Sequence, residues 1–165
     1  MQRGKALAEV LEHQFMGEVV AKLLTPTFIL YAYQSSSLLP GKGNYGTRIH
    51  VDSPRFIEDY CTNVGVIFPL DDFREDNGAT YLLKGSHKSE ACDPIEFDNK
   101  AVRLTCKKGD MIIFHGRTWH KAGVNTSGIP RHAITLNFCR SFMRQRFDFP
   151  RLLSDNEISR LGTQG

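Results

Sequence analysis

From Arg131 to Phe138 the chain alternates between two kinds of side chain. Arg131, Ala133, Thr135 and Asn137 share one face of an extended segment, while His132, Ile134, Leu136 and Phe138 share the other. Successive side chains of a β-strand point to opposite sides, so this run predicts a strand with one small or polar face and one mostly apolar face. Shorter β-rich runs recur at 48–51, 63–70, 79–83, 101–106 and 111–115. Turn signals divide several of them: Asp76-Asn77-Gly78, Lys108-Gly109-Asp110 and residues 125–130. Many short strands with turns between them predict a mainly β sandwich or barrel.

The flanks read differently. Leu7, Val10, Leu11, Val19 and Leu23 recur at helical steps, which predicts one short N-terminal helix over 3–23. Thr25-Pro26 stops it, because proline disfavours the helical conformation in the residue before it. Phe28 to Tyr33 reads as a short β run, and 34–47 reads as a loop freed by Gly41, Gly43 and Gly46. The tail from Ser141 is polar and basic, with a short helix expected near 154–161.

Composition narrows the function classes. A length of 165 residues fits one domain, expected to span 1–165 with a β core at about 26–140. The net charge of +3 is too mild for the basic stripe of a nucleic-acid binder. No apolar run approaches the roughly 20 residues of a membrane helix. The N-terminus has no signal-peptide h-region. Cys61, Cys92, Cys106 and Cys139 form no CxxC pair, so free thiols and a cytoplasmic location are expected.

The segment Ile-His50-Val-Asp52 carries the first chemical signal. On a strand, His50 and Asp52 would project together. His120, in TWHKAGVN after a short strand, offers a second imidazole. Two histidines and a carboxylate form the facial triad that suits a non-haem Fe(II) site with open positions. Arg131 follows His120 by eleven residues and could take a carboxylate in a two-pronged pair.

Those residues, with LDDFREDNGATYLLKGSH at 70–87, KKGDMIIFHGRTWHKAGVN at 107–125 and RHAITLNF at 131–138, resemble the phytanoyl-CoA dioxygenase family of Fe(II)/2-oxoglutarate oxygenases. The similarity covers about 26–150. The resemblance implies a double-stranded β-helix, a cupin-like jelly roll. It implies Fe(II) held by His50, Asp52 and His120, and 2-oxoglutarate held through its far carboxylate by Arg131. His120, not His115, takes the distal position. It further implies O₂ and a small organic molecule as the other reactants, hydroxylation rather than halogenation because Asp52 is present, and succinate and CO₂ as coproducts. Two departures stand out. Ala122 replaces a hydroxyl that assists the arginine in some members, leaving Thr135 as the candidate helper. Only about one helix precedes the His-x-Asp motif, so part of the family's N-terminal helical region is expected to be missing.

Other residues weigh less. His115 is expected to pack near the site, His87 to be structural, and His132 to face away from Arg131. Asp71, Asp72, Glu75 and Asp76 form a solvated acidic turn. Gln34 and Asn63 are candidates to touch cosubstrate or substrate, and Arg55 to reach the substrate mouth. Arg140, Arg144, Arg146 and Arg151 read first as a solvated basic face. Two alternatives use the same three ligands: a Zn²⁺-dependent hydrolase, and a noncatalytic β-barrel module. Neither explains Arg131 as directly, and the sequence does not name the substrate or the oligomeric state.

Overall fold

The computed structural model describes residues 5–53, 55–159 and 161. In chain order the elements are α1 (Lys5–Glu9), α2 (Gln14–Leu23), β1 (Ile29–Leu38), β2 (Asn63–Pro69), β3 (Thr80–Leu82), α3 (Pro94–Lys100), β4 (Val102–Arg103), β5 (Ile112–His115), β6 (His120–Ala122), β7 (Arg131–Cys139), α4 (Phe149–Leu152) and α5 (Asp155–Ile158). The strands form a four-stranded sheet in the order β1-β7-β2-β5 and a three-stranded sheet in the order β4-β3-β6. Every pairing is antiparallel. No helix among the described residues is long and apolar enough to cross a membrane.

The alternation of β7 sets up two cores. Ile134, Leu136 and Phe138 join Val64 and Val66 of β2, and Met16 and Val20 of α2 cover them together with Leu24 just past its end. Each such buried side chain contributes roughly 1.5–3 kcal/mol relative to exposure. Ala133 belongs to a second cluster with Ile67 and Phe114 of the same sheet and Phe73 and Ala79 of the 70–79 connection, against which Leu82 of β3 packs. Gly65 lies opposite Phe114 in the β2–β5 register, and a Cβ there would overlap the Phe114 ring.

Several expectations change on the structure. The N-terminal helix is broken at His13, which adopts an extended conformation and accepts from the Met16 amide at 3.4 Å. Residues 3 and 4 of the expected helix lie outside the described residues. Residues 34–38 are not loop. They continue β1 along β7, from Gln34 opposite Thr135 to Leu38 opposite Arg131. A serine run has little strand propensity of its own, but the β7 backbone supplies the partners its amides and carbonyls require. No strand forms at 48–51, where only His50 makes a single bridge. The 101–106 run shortens to β4 plus a bridge from Cys106 to Phe73. The helix α3 falls between the expected β runs at 79–83 and 101–106, where no helix is expected. Its signal was present as Asp93-Pro94: the Asp93 side chain accepts from Ile95 N at 2.9 Å, and Pro94 occupies the first turn. In the tail, α5 matches the expected helix, with a Ser154–Glu157 capping box, while Arg160 lies outside the described residues.

Candidate metal centre

His50 and His120 are brought together by backbone. Each donates its amide to the other's carbonyl at 3.0 Å, and their ring centroids lie 4.2 Å apart. His120 is the first residue of β6, where it also pairs with Leu82 of β3. Asp52 is fixed by the 115–118 turn, because its amide and that of Ser53 both donate to the Gly116 carbonyl at 2.9 Å. The shared direction of His50 and Asp52 thus comes from two backbone clamps, not from a regular strand.

The tautomers follow from the neighbours. His50 Nδ1 faces the Arg48 carbonyl at 2.7 Å, and His120 Nδ1 faces the Thr118 carbonyl at 2.9 Å. A carbonyl can only accept, so both Nδ1 atoms donate and both Nε2 atoms keep a free lone pair. Those atoms lie 3.9 Å and 3.8 Å from Asp52 Oδ1. One ligand atom from each residue falls within 4.8 Å of the others. Burial, offset in part by the Asp52 carboxylate, holds the His120 imidazole below its ordinary range and favours the neutral, ligating form. Two imidazole nitrogens and one carboxylate oxygen converging on one point are a donor set that fits a divalent transition metal.

A cavity of about 490 Å³ opens over this triad, and Arg131, Ala133, Gln34 and Thr135 line it as well. Arg131 is only 4% exposed. Its Nη2 donates to the Gly78 carbonyl at 3.0 Å, and its guanidinium stacks on Phe73 at 4.1 Å from the ring centre. Its Nε is buried without a partner. Desolvation lowers its pKa from 12.5 to about 10. A buried cation with an unused donor beside a triad that could hold a metal fits a carboxylate-bearing ligand.

Thr135, the expected helper, lines the cavity, and its hydroxyl donates to the Gln34 carbonyl at 3.4 Å. The bond that orients Arg131 goes instead to the Gly78 carbonyl. Gly78 has a φ of +80° and a Cβ there would strike the Leu38 side chain, so only glycine brings this carbonyl so close. His115 stands apart from the triad: its Nδ1 accepts from the Arg117 amide at 3.0 Å and its ring packs on His87 at 4.9 Å. His132 is exposed and pairs with Asp71 at 2.9 Å. In the acidic turn, Asp72 and Asp76 bind Lys107 and Arg74 at 2.9 Å and 3.0 Å. Gln34 lines the cavity, but Asn63 sits behind it, and Arg55 is exposed and away from its lining. Of the four tail arginines only Arg146 lines the cavity.

Two residues with a part in the site were not singled out by the sequence. Arg117, 5% exposed, ties the Asp52 loop to the next one by donating to the carbonyls of Ser53 at 3.2 Å and Glu90 at 2.7 Å. Asn137 donates to Asp52 Oδ2 at 3.4 Å. Its position on the Arg131 face of β7 was the available signal.

Comparison with known proteins agrees with this architecture. The family model described as Phytanoyl-CoA dioxygenase (PhyH) matches residues 4–133. An uncharacterized protein of Mycobacterium tuberculosis is 36% identical over 144 residues, covering 83% of this chain and 52% of that protein. Dioxygenase cdmD of Talaromyces verruculosus is 32% identical over 130 residues, covering 72% of this chain and 42% of that protein. The chain spans about half the length of these curated relatives. Among solved structures, the epimerase SnoN in complex with Fe3+, alpha ketoglutarate and nogalamycin RO superposes with a TM-score of 0.68 at 18% identity, over 84% of this chain and 60% of that one. AviO1 from Streptomyces viridochromogenes does so with a TM-score of 0.66 at 19% identity, over 82% and 62%. These likenesses establish a jelly-roll fold, and the family match establishes descent: this chain belongs to the phytanoyl-CoA dioxygenase family.

Proposed function

We propose that the chain carries the active site of an Fe(II)/2-oxoglutarate-dependent dioxygenase that hydroxylates a small organic substrate. The observation that carries this reading is the placement of an under-satisfied, buried Arg131 in the same cavity as the His50, Asp52 and His120 triad. His50, Asp52 and His120 are the metal ligands in this reading, and Arg131 holds the far carboxylate of the cosubstrate. When bound, Fe(II) and 2-oxoglutarate supply the activation of O₂, one oxygen atom going to succinate and the other to the hydroxylated product, with release of CO₂.

The chain's own groups do the holding. The carbonyls of Arg48 and Thr118 keep both imidazoles in the ligating tautomer. Arg131 offers a guanidinium whose stacking on Phe73 and bond to Gly78 fix its plane, so a carboxylate meets a preset fork. The fold neighbour holding Fe3+ and alpha ketoglutarate supports the same pairing of metal and cosubstrate. Zinc-dependent hydrolysis would use the three ligands and leave Arg131 without a task.

The test is anaerobic loading with Fe(II), then 2-oxoglutarate. A new visible absorption band on adding the cosubstrate, and succinate formation once O₂ is admitted, are the expected results. No 2-oxoglutarate affinity in the metal-loaded protein would refute the proposal.

A further inference from the structure

Behind Asp52 lies a chain of two buried amides. Asp52 Oδ2 accepts from Asn137 Nδ2 at 3.4 Å, and Asn137 Oδ1 accepts from Asn63 Nδ2 at 2.8 Å. Asn63 is fully buried, and its own Oδ1 has no partner. The direction of this chain is forced from one end. An ionised carboxylate only accepts, so Asn137 must turn its NH₂ toward Asp52. Its oxygen then faces Asn63, which must answer with its own NH₂. The orphaned oxygen of Asn63 is the residue of that constraint, since a buried unpaired acceptor is otherwise costly.

Asn63 also grips the Asp52 backbone. The Gly116 amide donates to the Asn63 carbonyl at 2.7 Å, and the Gly116 carbonyl accepts from Asp52 and Ser53 at 2.9 Å. A Cβ on Gly116 would come within 2.7 Å of Asn63 Cβ, so glycine permits this approach. Asn63 and Asn137 come from neighbouring strands, where Asn137 stands opposite Gly65, so the two amides meet diagonally on one sheet face.

We propose that Asn137, braced by Asn63, is a positioning residue that holds Asp52 as a one-oxygen ligand. Occupying Oδ2 leaves Oδ1 as the atom presented to the two imidazole nitrogens, at 3.9 Å and 3.8 Å. This role rests on the metal assignment made above.

Cobalt(II) is the probe, titrated calorimetrically into metal-free protein, with the visible spectrum of the bound ion as a second readout. Asn137→Leu keeps the breadth of the side chain and removes the donor. It should weaken cobalt binding roughly tenfold or more and shift the spectrum as the freed carboxylate turns both oxygens to the ion. Asn63→Leu should cost less, and should cost nothing further in the Asn137→Leu background, because the relay is already cut. If the leucine variant does not fold, Asn137→Ser, too short to reach Asp52, serves in its place and should show the same loss. Cobalt affinity within twofold of the parent and an unchanged spectrum in a folded Asn137 variant would overturn the proposal. So would full additivity of the two substitutions. A parent protein that takes up no cobalt would refute the metal assignment itself and this role with it.

Discussion

Replacing Arg131 by alanine tests the proposed cosubstrate site most directly. The guanidinium is 4% exposed, and desolvation brings its pKa from 12.5 to about 10. A shift of that size corresponds to roughly 3 kcal/mol weighing against the buried charged form. The sign follows from the direction: a base with a depressed folded pKa burdens folding at neutral pH, and the burden lifts only as pH rises past the folded value. A dianion that engages the unused Nε would recover part of this cost. Losing a charge-assisted pair typically costs about 2–5 kcal/mol. The lower half applies here, because Nη2 is already bonded to Gly78 and Phe73 covers one face. About 2–3 kcal/mol corresponds to a ~30- to 150-fold weaker affinity. Calorimetric titration of 2-oxoglutarate into zinc-loaded parent and Arg131→Ala reads this out. Arg131→Lys should recover only part, since an ammonium loses both the fork and the flat stack. The cosubstrate should also raise the thermal midpoint of the parent by more than that of Arg131→Ala at the same concentration. Equal affinities of parent and Arg131→Ala would refute the reasoning.

Other expectations are simpler to check. Asp52→Ala should lose metal affinity by more than the ~10–100-fold typical of losing an outer hydrogen-bond partner, and unchanged anaerobic Fe(II) titration would contradict the ligand assignment. Gly65→Ala should destabilise the protein by about 1–3 kcal/mol, because the Phe114 ring lies where the new Cβ must go; a melting curve superimposable on the parent's would count against that packing. Cys139 is buried, with its thiol pushed up to about 11 by desolvation, so it should resist alkylation in the native state at neutral pH. All four thiols should react without reductant once the chain is unfolded, since Cys61, Cys92, Cys106 and Cys139 are unpaired, and mass spectrometry would expose any disulfide.

Legibility in the sequence tracked how local the cause was. β7 could be read to the residue because period-two alternation is a property of the strand itself. Gln34 to Leu38 could not, because their extended form comes from pairing with β7, some hundred residues downstream. The convergence of His50 and Asp52 was correctly anticipated for a mistaken reason: the clamps are His120 and Gly116, not the pleat of a strand. Choosing His120 over His115 came from a resemblance. The structure adds the physical difference: His115 Nδ1 accepts from the Arg117 amide, which puts the proton of the neutral ring on Nε2, while His120 Nδ1 donates to Thr118 and leaves the Nε2 lone pair free toward Asp52. Asn137 stayed hidden because a carboxylate's outer partner has no spacing rule.

The serine-rich half of β1 has a consequence for divergence. Gln34, Ser35, Ser36 and Ser37 line the cavity, yet none of the residues assigned to metal or cosubstrate comes from this strand. It sits at the border of its sheet and, among the described strands, pairs with β7 alone, so its outer side carries no partner strand that would have to change with it. The triad instead hangs on Gly116, Arg48 and Thr118, which β1 does not touch through hydrogen bonds. The wall and the triad clamps thus share no hydrogen bond among the described residues, although Arg131 stands opposite Leu38 in the β1–β7 register. Mutations along β1 can recut the wall to a different molecular outline while the reacting centre stays where it is, so relatives with the same His-x-Asp, His and Arg need not share a substrate.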